Sequence, residues 1–192
     1  MIRKITLSAS TSFERDDNSI KTISPDEIET FRSMMEIVGH NTAQVINGFA
    51  HINKNLSWLF MSYYRPENRL LKEQVFHADF MSFDAKRKLF FVINDDLKLF
   101  EGKLLKDTKE EFFRVMRHRN MLAHGDFNAK SVKGKLFIEV SYYSGGHKKM
   151  TLDDERWEKI KQSHSFLSKQ INLFHLVVRH PHMKDELHEQ FV

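Results

Sequence analysis

The chain has 192 residues, with 30 Lys and Arg against 26 Asp and Glu, a formal net charge of +4, 41% hydrophobic residues and no cysteine. That length suits one domain burying roughly 70% of the surface its unfolded form exposes, and the lack of cysteine excludes disulfide staples and thiolate metal sites. No apolar run approaches the roughly 20 residues that span a bilayer, and "MIRKITLSAS" is too short and polar for a signal peptide. The expected location is therefore the cytoplasm, with no membrane partner.

Phenylalanine is abundant, at 17, while 3 prolines and 7 glycines leave few interruptions. That combination favours long helices packed on aromatic seams. Residues 1–23 read as an N-terminal arm: "IRKITL" is a candidate short strand, and 8–23 are polar without a helical period. "SPDE" then starts a helix, with Ser24 as cap, Pro25 in the first position and Glu27 three after the cap. One seam runs on through Ile28, Phe31, Met35, Val38, Thr42, Val45, Phe49, Ile52, Leu56 and Leu59 in steps of three and four. It is one very long helix, or two in phase broken at Gly39 or Gly48, and "YRPENR" ends it. Part of this seam is a candidate homodimer interface.

A shorter helix is expected over about Leu70 to Phe80, another from a capping Ser82, and another from Asp107, with Glu110 three later and Gly125 as its stop. The period then changes to two: Leu136, Ile138, Val140 and Tyr142 alternate with Phe137, Glu139, Ser141 and Tyr143. "SGG" is a turn, "HKKMTL" the return strand, and "TLDD" caps a last helix over about Asp153 to Val178. The expected fold class is all-α: a bundle of four to five helices over residues 24–192, with a β-hairpin at about 134–152 before the last helix.

On a helical wheel the 110–124 segment clusters Phe112, Val115, Met116, Leu122 and Ala123. Arg119 falls inside that apolar arc. Asn120 and His124 flank it on one edge, Arg117 lies beside His124, and Glu110 and Arg114 sit on the wet side. An arginine there is costly unless its charge is paired or opens into a cleft. Binary patterning predicts leucine, and a functional site is one cause of such a failure. Two others compete with it: a kink near Arg117, or a structural tie to an acid or to helix carbonyls.

The stretch Arg119-Asn120-Met121-Leu122-Ala123-His124-Gly125 resembles the signature of HEPN domains (higher eukaryotes and prokaryotes nucleotide-binding): arginine, four to six residues, histidine, with a polar residue after the arginine. The spacing here is four; Arg117 to His124 offers a spacing of six as an alternative. "MSFDAKRKLFFVI" is similar to the helix that often precedes the motif. The resemblance implies an up-and-down helical bundle, dimerised with two motifs facing one cleft. It implies a metal-independent endoribonuclease of toxin–antitoxin, phage-defence or RNA-processing systems, or a binding module that has lost catalysis. It assigns His124 as acid or base, Arg119 to the developing phosphorane charge, and Asn120 to orienting His124 or bonding phosphate. One subgroup carries a modified tyrosine two residues after the histidine; here Asp126 stands there, followed by Phe127.

Arg114, Arg117, Lys133 and Lys135 are candidate substrate-binding residues. The region 128–149 sets Lys130, Lys133, Lys135, Lys148 and Lys149 against the single acid Glu139, interleaved with Phe137, Tyr142 and Tyr143. That is a single-strand binding composition, but short basic hairpins are common, and the favoured reading is a solvated hairpin with one face on the bundle. His180-Pro181-His182, with His175 and His188 near, lacks the geometry and thiolates of a zinc site, so no metal or cofactor is expected. His40, His51, His77 and His164 show no ligand spacing and read as surface or partly packed. No Gly-rich phosphate loop, nucleophile elbow or HExxH is present. The expected partners are RNA, a second copy of the chain, and an antitoxin or defence-system protein.

Overall fold

The computed structural model describes residues 14–15, 25–65, 67, 76, 81–132 and 135–188. Among them the chain is mostly helical, with a small sheet. The order is β1 (Glu14–Arg15), α1 (Pro25–Tyr64), α2 (Phe83–Leu97), α3 (Gly102–His124), β2 (Asp126–Val132), β3 (Lys135–Tyr143), β4 (His147–Thr151) and α4 (Asp154–Arg179). A 3-10 turn (Pro181–Met183) and α5 (Lys184–His188) follow.

The seam beginning at Ile28 belongs to one helix of 40 residues, α1, about 60 Å long at the usual rise per residue. Gly39 and Gly48 do not break it, because α1 is packed over most of its length. Its second half (Ile52, Leu56, Leu59, Phe60) joins a core with Phe90 and Ile93 of α2, Phe112 and Val115 of α3, and Ile171 and Phe174 of α4. Phe90 is the hub, 4.6 Å from the Phe174 ring and 5.2 Å from that of Phe112. The first half of α1 supplies Val38 and Val45 to a second core. There they meet Met121 and Leu122 of α3, Ile138 and Val140 of β3, and Trp157 and Ile160 of α4.

Local chemistry places the ends. Ser82 accepts from the Ala85 N–H and starts α2, and Asp153 accepts from the Arg156 N–H and starts α4. α2 stops at Lys98 in the left-handed conformation, φ 49°. Buried Asn94 then clamps the turn: its Nδ2 donates to the Phe100 carbonyl (3.1 Å), and the Phe100 N–H donates to its Oδ1 (2.8 Å).

Four expectations are corrected. α3 begins at Gly102, not at Asp107, because the Asn94 clamp turns the chain back early and Leu104 and Leu105 pack on the core. The hairpin is the later part of a larger sheet, ordered β1-β2-β3-β4. β2 pairs antiparallel with β3 from Asp126↔Ser141 to Val132↔Lys135, with Phe127 and Ala129 beside Val140 and Ile138 on the core side. Within the 8–23 arm, Glu14–Arg15 pairs parallel with Lys130 and Ser131. A short α5 follows the helix that was expected to be last. The helix expected over 70–80, the strand expected in "IRKITL", Ser24, His77 and Lys133 lie outside the described residues, though Phe76 is buried in the first core. No described helix is long and apolar enough to cross a membrane.

Candidate nucleic-acid site at the end of helix α3

The buried face of α3 runs Thr108, Phe112, Val115, Leu122, and Met121 joins it in the last turn. Met121 is inside because the sheet covers a second side of that turn; Ala123, which the wheel places with the apolar residues, is exposed. Arg119 is half-buried. Its guanidinium lies 5.8 Å from the Phe49 ring centroid on α1, so the apolar arc serves as a cation–π seat for it. Among the described residues Arg119 has no carboxylate partner. Its Nη1 donates instead to Asn120 Oδ1 (3.0 Å) and approaches His124 Nε2 (3.1 Å). Arginine can only donate, so Nε2 is the accepting nitrogen and the ring proton of a neutral His124 is on Nδ1. His124 and Asn120 are exposed.

This puts Arg119, Asn120 and His124 on one patch. The Gly125 N–H closes the helix on the Met121 carbonyl (2.9 Å), and β2 starts at the next residue. Glycine is required there for space: a Cβ would lie 2.4 Å from the Met121 carbonyl oxygen and 2.4 Å from Val140 Cγ2. The outer face of the sheet therefore begins two residues from His124. By cross-strand register that face carries Asp126, Asn128, Lys130, Lys135, Phe137, Glu139 and Tyr143, with Tyr143 75% exposed. Lys149 bonds Glu139 at 3.4 Å.

The other candidates divide. Arg117 is exposed on α3 and Lys135 is exposed at the start of β3. Arg114 is held by Glu110 and Glu111 of its own helix. His40 and His51 are exposed, and His164, expected to be surface or partly packed, is buried at 9% exposure. It comes from the α4 face that carries Ile160 and Leu167 into the core. Burial pushes His164 down to about 4. His118, one residue before Arg119, is pushed down to about 4 by burial, then by His164 and by Arg117, Arg156 and Arg114. His118 Nδ1 and both ring nitrogens of His164 have no hydrogen-bond partner among the described residues. His175 bonds Ser62 Oγ (2.9 Å), and the His180 and His182 rings are exposed, 5.9 Å apart. No group of three or more His, Asp or Glu among the described residues is arranged to hold a metal ion.

Sequence reasoning missed Phe49 and the His118–His164 pair. Phe49 carried only a core signal, and the pair depends on how α3 crosses α4. Comparison with protein-family models, curated proteins and solved structures found no match to this chain.

Proposed function

We propose that this chain is a metal-independent endoribonuclease of HEPN type, a toxin or phage-defence effector that cuts RNA through its own 2′-hydroxyl. The observation that carries the reading is the bonded set at the end of α3, in which Arg119 Nη1 reaches both Asn120 (3.0 Å) and His124 (3.1 Å). The R-x4-H spacing supplies the family reading, and the geometry suits the chemistry. A scissile phosphate takes over the Arg119 fork, as guanidinium bonds to phosphate oxygens are charge-assisted and bidentate. His124 Nε2 is thereby freed to accept the 2′-OH proton. The 2′-oxygen forms its bond to phosphorus, the bond to the 5′-oxygen breaks, and a protonated histidine returns a proton to that oxygen. Arg119 stabilises the charge on the phosphorane.

One histidine cannot begin as both base and acid. A second copy of the chain, with two such sites facing one cleft in the up-and-down bundle dimer of that family, supplies the other. Lys130 and Lys135, on the face that begins beside His124, track the strand's phosphates, with Phe137 and Tyr143 as stacking surfaces. Control by an antitoxin or defence-system partner belongs to the same reading; Asp126 stands where tyrosine modification acts in one subgroup, so that form of control is not proposed.

The Arg119–His124 bond also favours a second reading. It occupies the lone pair a base needs, as in a non-catalytic module that binds RNA, nucleotide or a protein through the same patch. The two separate on incubation with single-stranded RNA in EDTA. The enzyme yields fragments ending in 2′,3′-cyclic phosphate and leaves all-2′-deoxy substrate intact; the module binds without turnover.

A further inference from the structure

Arg119 has a support that neither Asn120 nor His124 supplies. Its guanidinium carbon lies over the Phe49 ring of α1, 5.8 Å from the centroid. That ring is itself braced. Phe49 stands on the α1 seam between Val45 and Ile52 and packs on the first core. The ring of Phe83, which opens α2 behind the Ser82 cap, lies 4.6 Å from it. Phe83 in turn meets the buried Phe112 of α3 at 5.9 Å. So α1 carries the ring, α2 backs it, and α3 supplies both the brace behind Phe83 and the arginine itself.

The kind of support decides what Arg119 can do. A partly buried arginine is ordinarily held by a carboxylate, which offsets its charge and occupies its N–H fork. An aromatic face attracts the cation through the ring quadrupole and occupies no fork. Among the described residues every Arg119 hydrogen bond runs through Nη1, to Asn120 Oδ1 (3.0 Å) and to His124 Nε2 (3.1 Å). Nε and Nη2, which can meet two oxygens side by side, are unbonded among those residues. An incoming phosphate therefore finds an open edge on a cation whose charge is not neutralised. As it draws Nη1 away from His124, the hydrogen bonds to His124 and Asn120 compete with it for N–H donors. The contact with Phe49 does not, because the ring attracts the charge and needs no donor.

We propose that Phe49 is a positioning residue: its ring is the fixed pivot on which the Arg119 guanidinium passes from His124 to the scissile phosphate. The inference rests on the RNA reading above and assigns what keeps that hand-over in place. It also gives the apolar arc a use, since an acid in the same position would compete with the substrate for the arginine.

The test is a double-mutant cycle between Phe49→Leu and Arg119→Ala on the full chain. Affinity for an all-2′-deoxy strand is read by fluorescence anisotropy, and single-turnover cleavage of the matching RNA is followed in EDTA. Phe49→Leu is expected to weaken both about three- to ten-fold, the worth of one cation–π contact. Phe49→Tyr, which keeps the ring, is expected to stay within about two-fold of the parent. In the Arg119→Ala background Phe49→Leu is expected to cost nothing further. A loss of the same size in both backgrounds means that Phe49 only packs, and overturns the pivot. A second measurement uses the parent alone and so does not depend on how the variants fold. NOEs between the Phe49 ring and the Arg119 side chain are expected to persist in the complex with the deoxy strand; their disappearance on binding also overturns the pivot. Binding without cleavage removes the nuclease reading and leaves the pivot scored on affinity, whereas cleavage with an additive cycle removes the pivot alone.

Discussion

His118 and His124 are six residues apart on α3 and have opposite surroundings. His124 is at the surface within reach of Arg119, whereas His118 and its neighbour His164 are shielded, and both are pushed from 6.5 to about 4. A histidine kept neutral in the fold but protonated when unfolded lowers stability on the acid side. The unfolded chain binds the extra proton below about 6.5 and the folded chain only below about 4, so stability is full above about 6.5 and falls as pH drops through that window. The loss is on the order of 2–3 kcal/mol for each histidine. Urea midpoints at pH 7.5 and pH 5 are expected to show it, with a smaller difference in His164→Leu; an equal difference in that variant contradicts the assignment. Legibility at this scale was uneven. Arg119 stood out because a charge interrupted an apolar arc. His164 did not, since a histidine beside Ser163 and Ser165 on a mixed helix carries no mark of burial.

At the scale of elements, the periods of three-and-four and of two gave the right types for α1 to α4, β3 and β4, and the caps at Ser82 and Asp153 were readable from single residues. The rest failed where tertiary contacts decide. Whether α1 was one helix or two depended on continuous packing against α4 and α3, which outweighs the roughly 1 kcal/mol a helical glycine costs. β2 was hidden because "DFNAKSV" alternates only weakly and acquires its strand state from pairing with β3. The junction between α3 and β2 rests on one glycine. Gly125→Ala forces a methyl against the Met121 carbonyl and Val140, an overpacking expected to destabilise by about 1–3 kcal/mol in urea unfolding. A midpoint equal to the parent's would mean that the helix end and β3 are not in close contact.

In the whole molecule two cores share α1, α3 and α4, one closed by α2 and the other by the sheet. The Arg119 patch is at the end of α3, which enters the sheet-covered core through Met121 and Leu122 and is bonded on to β2. Its three residues therefore ride on a packed helix, not on a free loop, as a site needs if small displacements are not to lose rate. The sequence could pick out the R-x4-H set but not this support, because the support comes from the strands, from α4 and from α1, whose Val38, Val45 and Phe49 lie far back in the chain. The most direct measurement is the single-turnover rate of RNA cleavage in EDTA for the parent, Arg119→Ala and His124→Ala, each checked for unchanged circular dichroism. Cleavage by the parent, reduced at least about 100-fold in both variants, is the predicted result. Folded variants that cut as fast as the parent, or a parent that does not cut, would contradict the account.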